Sequence, residues 1–346
     1  MTGGLIVRCA DDADRARIAA FVAAHPDATP FHQPGWADAI ERGCGQRTHW
    51  LIAQRGTDVA AVLPLTEVRS PLFGAALVSA GFAVGGGILG EEEAVPALGS
   101  AALALAKRRG ITGVELRGGA IPMGWAVDDQ SYLGFARDLA PDDDAQLLAI
   151  PRKQRADVRK SLEAALSVTV GRDQAAADAH YRVYAESVRN LGTPVFPRAL
   201  MRAALAMMDA DVLTVHHDGR PIASVLSLYY QGTVYPYWGG GTQQARTMRA
   251  NDRMYVALMA HARARGCTRF DFGRSKAGTG AAAFKGNWGF EGKPLRYAYG
   301  DASEGQAPRR EVNPLDPRYA LMVRAWQRLP VPVATLLGPW ISRGLG

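Results

Sequence analysis

The feature that most constrains the fold of this chain is an internal repeat. Residues 51–65 read LIAQRGTDVAAVLPL and residues 214–228 read TVHHDGRPIASVLSL, two similar segments at a constant offset of 163 residues. In each segment two apolar runs flank a glycine, Gly56 or Gly219, as in a β-hairpin. A hairpin repeated at this spacing predicts two domains built on the same plan.

The elements around the two hairpins also recur in the same order. A Phe followed by a helical segment precedes each hairpin, and a glycine triplet, a helix-periodic stretch and a short apolar strand follow it. These elements lie at 31–36, 85–87, 94–109 and 114–116 in the first copy and at 196–201, 239–241, 252–265 and 269–272 in the second. Hairpins combined with one strand–helix–strand crossover indicate an α/β (α+β) fold with mixed sheets.

Length and composition agree with this plan. The chain has 346 residues, enough for two domains of ~150 residues each. With 48% hydrophobic and 21% charged residues it is typical of globular proteins, which excludes a fibre and extensive disorder. The polar stretch from Pro141 to Pro151 predicts the boundary, giving a first repeat at 1–150, a second at 151–300 and a tail at 301–346.

Charge is divided unevenly between the two halves. Residues 1–150 carry 12 Lys/Arg and 18 Asp/Glu, a net charge of −6, whereas residues 151–346 carry 28 and 15, a net charge of +13. The second half is therefore expected to bind an anionic partner. Nucleic acid, nucleotide phosphates, coenzyme A and an anionic membrane surface all meet that description.

Other sequence signals narrow the class of protein. The three cysteines, Cys9, Cys44 and Cys267, are widely spaced without a C-x-x-C pair, so neither a disulfide framework nor a metal site is predicted. The first residues lack the pattern of a signal peptide, and no run of ~18 apolar residues occurs. We expect a cytoplasmic protein.

The tail is basic and amphipathic. Residues 315–346 combine Leu, Met, Val and two Trp with four Arg and one Asp, and prolines interrupt any long helix. This composition favours peripheral contact with the inner face of the cytoplasmic membrane, with Trp at the interface and Arg on lipid phosphates. Docking of the tail on the protein's own core or on a partner is the alternative.

Three segments of the second repeat resemble a known family. They read Arg152-Lys-Gln-Arg155, Asp271-Phe-Gly-Arg-Ser275 and Phe284-Lys-Gly-Asn-Trp-Gly289. In this order, and in a duplicated chain, they resemble the FemAB-like N-acyltransferases, whose fold is a tandem duplicated acetyltransferase (GNAT) fold. The resemblance covers residues 5–300. The most similar subgroup belongs to exosortase-associated exopolysaccharide systems, and bacterial ceramide synthases are a further candidate relative.

The resemblance implies transfer of an acyl or aminoacyl group to an amine. The leading hypothesis is an N-acyltransferase that uses an acyl thioester such as acyl-CoA as co-substrate, with no permanently bound cofactor, and a lipid amine such as a sphingoid base as one candidate acceptor. Aminoacyl-tRNA as donor, in peptidoglycan or exopolysaccharide metabolism, is the alternative within the family. A non-catalytic scaffold of an envelope-polymer export system is the alternative outside it.

The second copy, not the first, has the residues expected of a donor site. Gly85–Gly90 fits G-x-G-x-x-G, but three glutamates follow it where a pyrophosphate would have to lie. The equivalent donor loop, residues 242–252, offers cations, hydroxyls, amides and a following helix. The predicted donor-binding residues are Arg246, Thr247, Arg249, Asn251, Arg274 and Ser275. A polar surface loop with Asp252 as helix N-cap is the alternative.

Two residues are predicted to be catalytic. By the resemblance, Lys285 stabilises an oxyanion or a phosphate. Asp271 lies in a short apolar strand, where burial would raise its pKa and let it accept the amine proton, although such an Asp more often caps a turn. Because no Ser-His-Asp or Cys-His arrangement stands out, direct attack without a covalent intermediate is expected.

Aromatic and basic residues near these segments are predicted to bind substrate. Alternation along the strand places Tyr235 and Tyr237 on one face and Trp238 on the other. The full predicted set is Arg152, Lys153, Tyr235, Tyr237, Trp238, Phe284 and Trp288. Core packing of the aromatics and solvation of the basic helix are the alternatives.

Overall fold

A computed structural model describes residues 4–71, 74–303 and 317–346. Within these residues the chain forms two compact units. Unit 1 contains 4–129, 295–303 and 340–346, and unit 2 contains 130–294 and 317–339. The first part of the predicted tail, residues 304–316, lies outside the described residues.

Unit 1 is a mixed sheet with helices. Its strands are β1 (Ile6–Cys9), β2 (Arg47–Arg55), β3 (Asp58–Ser70), β4 (Gly74–Ser79), β5 (Leu89–Gly90), β6 (Gly113–Arg117), β7 (Ala126–Asp128) and β15 (Tyr297–Asp301). Its helices are α1 (Arg15–Ala24), α2 (Pro34–Cys44) and α3 (Val95–Arg108). The sheet order is β1-β2-β3-β4-β6-β15-β7, with β5 pairing to β3. The apolar face of α3 packs on β2, β3 and β6 to form the core.

Unit 2 repeats this plan. Its strands are β8 (Tyr132–Asp138), β9 (Ser167–Gly171), β10 (Ala210–His217), β11 (Arg220–Tyr230), β12 (Thr233–Gly241), β13 (Arg269–Lys276) and β14 (Gly292–Pro294). Its helices are α4 (Asp143–Ala149), α5 (Arg152–Glu163), α6 (Gln174–Leu191), α7 (Arg198–Met207), α8 (Gln243–Thr247), α9 (Ala250–Ala264), α10 (Gly280–Asn287) and α11 (Pro317–Arg328). A last helix, α12 (Val331–Ser342), begins in unit 2. The sheet order is β14-β8-β13-β12-β11-β10-β9.

The two sheets confirm the predicted duplication and the mixed α/β class. Both predicted hairpins form, β2 with β3 and β10 with β11, and their glycines have the positive φ that a tight turn requires, +57° at Gly56 and +72° at Gly219. One pair in each sheet is parallel, β4 with β6 and β12 with β13. The helices α3 and α9 are the crossovers between those parallel strands, as the repeat predicts.

The two halves of the sequence exchange a strand. β8 follows β7 along the chain but lies in the unit 2 sheet, between β13 and β14. β15 follows β14 but lies in the unit 1 sheet, between β6 and β7. Because of this exchange the compact units divide at 129/130 and 294/295, whereas the sequence analysis divides the chain at 150 and 300.

The C-terminal helices are short. Pro330 separates α11 from α12, and Pro339 lies inside α12. Among the described residues, no helix combines the length and the apolar character that crossing a bilayer requires.

Candidate active site

The parallel strands of unit 2 pair only where they begin. Thr233 pairs with Arg269 and Val234 with Phe270, and no further register joins the described residues of β12 and β13. β12 has one extra residue, Tyr237, between the residues that pair with Leu226 and Ser227 of β11, and this bulge bends that part of the sheet. The backbone N–H and C=O groups of successive residues in a strand point alternately to its two neighbouring strands. Every second residue of 235–241 therefore directs these groups toward β13, across the β12–β13 gap. This gap can accept an extended chain that carries amide groups.

The equivalent opening in unit 1 is closed by its own chain. Beyond the paired part of β4 and β6, the Arg117 N–H donates to Ser79 Oγ at 2.7 Å, and the Gly87 N–H donates to the Arg117 carbonyl at 3.1 Å. A Cβ on Gly87 would lie 1.9 Å from the carbonyl oxygen of Gly118, so only glycine fits there. The first glycine triplet thus fills the position that is open in unit 2.

A bulge in β13 brings both predicted catalytic residues together. The register against β8 shifts between Asp271 and Arg274, and Gly273 has a φ of +65°. The Gly273 N–H donates to Asp271 Oδ1 at 2.7 Å. The Lys285 ammonium, from α10, donates to the carbonyls of Phe272, Gly273 and Arg274 at 2.7, 3.1 and 2.9 Å. All three N–H bonds of that ammonium are therefore matched by backbone acceptors.

Burial shifts the pKa of three groups in this site. Lys285 is 8% exposed, and burial lowers its pKa to about 8, against the opposing effect of Asp271. Burial raises the pKa of Asp271, while the Gly273 N–H and Lys285 act in the opposite direction. Tyr235, on the neighbouring strand, has a pKa raised by burial and then by the Asp271 charge. A carboxylate, an ammonium and a phenol are thus electrostatically coupled beside the β12–β13 gap.

The donor loop leads directly into α9. Arg249 occupies the N-cap position of α9 with a left-handed φ of +54° and forms an ion pair with Asp157 of α5 at 2.8 Å. Asn251, in the first turn, has a buried side-chain oxygen without a partner in the described structure. Arg246 and Thr247 are exposed on α8. The structure places these four predicted residues around one helix N-terminus.

Asp252 is not the N-cap of α9, because Arg249 holds that position. Asp252 lies in the first turn of the helix and is buried, and Gln154 of α5 donates to its Oδ1 at 2.6 Å. Burial, followed by the Asp157 charge, raises the pKa of Asp252 to about 6. This carboxylate fixes α5 against α9, and neither Gln154 nor Asp157 was predicted.

An aromatic cluster lies under the bulge. Tyr255 of α9 contacts Phe272, Phe284 and Trp288, with ring centroids 4.8, 5.7 and 6.0 Å apart. Trp288 is 0% exposed and belongs to the unit 2 core, whereas Phe284 is half-buried. Sequence reasoning missed Tyr255, although the helical period places it one turn after Asn251 on the same helix.

The remaining predicted residues fall into two groups. Tyr235 and Tyr237 are half-buried on β12, and Trp238 is buried against Tyr237 and Phe196, with centroids 5.0 and 6.2 Å apart. Arg152 and Lys153 are exposed at the start of α5.

Two further predicted residues lie at the end of β13. The Arg274 guanidinium lies over the Tyr132 ring, 4.8 Å from its centroid. The Ser275 hydroxyl is buried, and no described group pairs with it. Ser275 is thus a buried polar group of unit 2, and Arg274 is held through its contact with β8.

Comparison with known proteins agrees with this architecture. Residues 152–286 match the family model of the acetyltransferase (GNAT) domain. A search of curated protein sequences gives no match. Among similar solved structures, FemX has a TM-score of 0.67 at 15% identity, covering 84% of this chain and 96% of that one.

Two other structures are similar over comparable lengths. The C-terminal domain of a putative lysylphosphatidylglycerol synthetase from Agrobacterium fabrum has a TM-score of 0.56 at 14% identity, covering 83% of this chain and 91% of its own. A tandem GNAT protein from the clavulanic acid biosynthesis pathway has a TM-score of 0.56 at 12% identity, covering 88% and 100%. At these identities the likeness concerns the fold. Residues 152–286 therefore match an acetyltransferase (GNAT) domain, and over most of its length the chain shares the fold of FemX and of the tandem GNAT protein.

Proposed function

We propose that this protein is an N-acyltransferase that transfers an acyl group from an acyl thioester, acyl-CoA, to an amine by direct attack. The observation that carries the proposal is the β12–β13 gap in unit 2. The equivalent opening in unit 1, between β4 and β6, is closed by Gly87. The pantetheine arm of coenzyme A is an extended chain with two amides, so it can pair with strand backbone in such a gap. Among the described residues, unit 2 offers that pairing, whereas in unit 1 the Gly87 N–H already donates to the Arg117 carbonyl.

The charged end of the donor has a matching position. The β12–β13 gap leads along β12 to the donor loop and the N-terminus of α9, where helix N–H groups favour a phosphate. Arg246 and Thr247 are exposed there and can add charge-assisted hydrogen bonds. Arg249 shares its charge with Asp157, so its role is also to hold the loop. We assign the loop to the phosphates of the donor.

Asp271 in the β13 bulge and Lys285 on α10 have different roles in this proposal. Asp271 accepts the proton of the attacking amine, since a buried carboxylate with a raised pKa is a stronger base than an exposed one. Lys285 uses its three N–H bonds on carbonyls 272–274, so it positions the bulge and Asp271 instead of donating to an oxyanion. We assign stabilisation of the oxyanion to backbone N–H groups of the glycine triplet 239–241 on β12.

We further propose an amphiphilic amine, such as a sphingoid base, as acceptor. Val333, Leu336, Leu337 and Trp340 are exposed at spacings that share one face of α12, which suits contact with a membrane surface. Half-buried Tyr235 and Tyr237, with Phe284, would line the acyl or acceptor path. Arg152 and Lys153 are exposed cations available to anionic groups of either substrate.

One experiment tests the donor and the reaction together. Purified protein is incubated with long-chain acyl-CoA or with charged tRNA and a panel of amines, while free thiol and tRNA deacylation are followed. We expect amine-dependent thiol release that Asp271→Asn slows on the order of a hundredfold or more. Deacylation of tRNA without thiol release would support the aminoacyl donor instead, and release from neither would support a scaffold.

Membrane contact has a separate test. Co-sedimentation with liposomes is compared for the full chain and for a variant in which Leu336, Leu337 and Trp340 are changed to Ser. Loss of pelleting is expected in the variant, because the exposed apolar face is removed. Equal pelleting of both proteins would argue against a role of α12 at the membrane.

A further inference from the structure

We propose that unit 1 contains a binding site for a phosphate-bearing ligand, separate from the acyl-transfer site. The site is an open cavity of about 500 Å³, within the ~300–1,000 Å³ of small-molecule pockets. We call it the arginine cavity. Its charged and aromatic lining consists of Arg47, Arg69, Arg109, Arg343, Glu67 and Trp340.

The arginine cavity lies at the opposite end of the unit 1 sheet from the closed opening. Its lining includes Ser70, the last residue of β3, and Arg47, the first residue of β2. It also includes Arg109, which directly follows α3. The closure by Gly87 and Arg117 lies at the other end, where β4 and β6 finish. The cavity is therefore not the unit 1 counterpart of the β12–β13 gap.

The cavity has a surplus of positive charge. Four guanidinium groups line it against one carboxylate, Glu67, which is 4% exposed. Arg69 Nε and Arg109 Nε donate to the Glu67 carboxylate at 2.6 and 2.9 Å. One carboxylate cannot neutralise all four cations, so three positive charges remain in excess. Such a field favours a multiply charged anion over a single carboxylate.

The arrangement of donors favours a phosphate group. A guanidinium has five N–H donors in a planar fork that matches phosphate oxygens. In the described contacts Arg69 and Arg109 each donate through Nε and Nη2. Arg69 donates to Glu67 and to the Arg109 carbonyl, and Arg109 donates to Glu67. Arg47 and Arg343 are exposed and have no ion pair with any described residue. Two fixed and two adjustable guanidinium groups thus converge on one cavity.

Two sources can supply such a phosphate. Trp340, on the cavity wall, is 52% exposed and shares the apolar face of α12, so a phospholipid headgroup is one source. A soluble phosphate ester is the other, because the cavity is open to solvent. The chemistry recognised is the same in both cases, and the source is decided by experiment.

The test compares two charge-matched double variants. R47Q/R343Q removes the two unpaired cations of the cavity, and R108Q/R296Q removes two exposed unit 1 arginines that lie outside it and have no ion pair among the described residues. Calorimetric titration with inorganic pyrophosphate measures the soluble arm. Pelleting with phosphatidylglycerol vesicles, against phosphatidylcholine vesicles, measures the lipid arm. Neither assay needs a donor or an acceptor, so both are independent of acyl transfer.

We expect R47Q/R343Q to weaken binding about tenfold or more, since each substitution removes charge-assisted hydrogen bonds, and R108Q/R296Q to change it less than about twofold. Selective loss of pyrophosphate binding supports a soluble phosphate ester, and selective loss of phosphatidylglycerol pelleting supports a lipid headgroup. Equal effects of both double variants, or no binding of either probe by the unchanged protein, would overturn the proposal.

Discussion

The backbone N–H of Gly273 donates to Asp271 Oδ1 at 2.7 Å, inside the one irregular stretch of β13. This bond fixes the carboxylate two residues upstream of a glycine whose φ of +65° few other residues tolerate. The bulge therefore holds the carboxylate that we propose as the base through a backbone N–H group.

Asp271→Asn keeps an acceptor for Gly273 but removes the base. We expect kcat for amine acylation to fall on the order of a hundredfold or more, with KM for the donor little changed, because general base catalysis typically contributes that much. Thiol release under saturating donor measures it. Glu163→Gln, an exposed carboxylate at the end of α5, is the control and should leave the rate unchanged.

The acid limb of the pH–rate profile should shift when Lys285 is changed to Met. The Lys285 charge lowers the pKa of Asp271, so its removal raises that pKa further. Because the base must be deprotonated, activity then begins at higher pH than in the unchanged protein. The measurement is kcat/KM against pH. An acid limb at the same pH, with only a lower plateau, would show that Lys285 does not act through Asp271.

Gly87→Ala should destabilise the protein far more than Gly113→Ala. A Cβ at position 87 meets the Gly118 carbonyl at 1.9 Å, whereas a Cβ on Gly113 meets nothing within 4 Å. We expect a loss of about 3 kcal/mol in the first case and little in the second. Denaturant unfolding of the full chain provides the comparison. Similar midpoints for the two variants would mean that the opening in unit 1 is not closed as described.

Glu67 should make stability depend on acid pH. Burial alone would raise its pKa, but hydrogen bonds from Arg109, Arg69 and His49 lower it to about 2 from an ordinary 4.5. A lowered carboxyl pKa gives stability that is complete above pH ~4.5 and is lost as pH falls through ~2, on the order of 3 kcal/mol in all. Glu67→Gln should remove this dependence. Unfolding free energies of both proteins at pH 7, 4 and 3 test it, and curves that stay parallel would contradict it.

Local patterns predicted much of the fold and part of the site. The hairpins at Gly56 and Gly219, the crossover helices and the closeness of Lys285 to the segment beginning at Asp271 all follow from residues whose partners are near in sequence or fixed by the repeat. A duplicated pattern is a strong signal, since two copies support the same interpretation.

Other features depend on contacts that no local pattern encodes. β8 is a short strand, and nothing in its seven residues says which sheet it joins. A tryptophan in this sequence context is equally typical of a hydrophobic core and of a binding site, and the structure places Trp288 in the core. Gln154 and Asp157 were overlooked because the cations of α5 dominate that helix, whereas burial against α9 gives the polar residues their function.

The exchange of β8 and β15 has a practical consequence for dissecting this protein. A fragment that starts at residue 151 would leave β13 without its antiparallel neighbour, and so would leave the backbone of Asp271–Lys276 exposed to solvent on that edge. Such a truncated form could be inactive because its sheet is incomplete, and its inactivity would say nothing about which half performs the chemistry. Dividing this chain into independently expressed modules requires grafting a strand across, and the duplicated ancestor cannot be recovered by cutting alone.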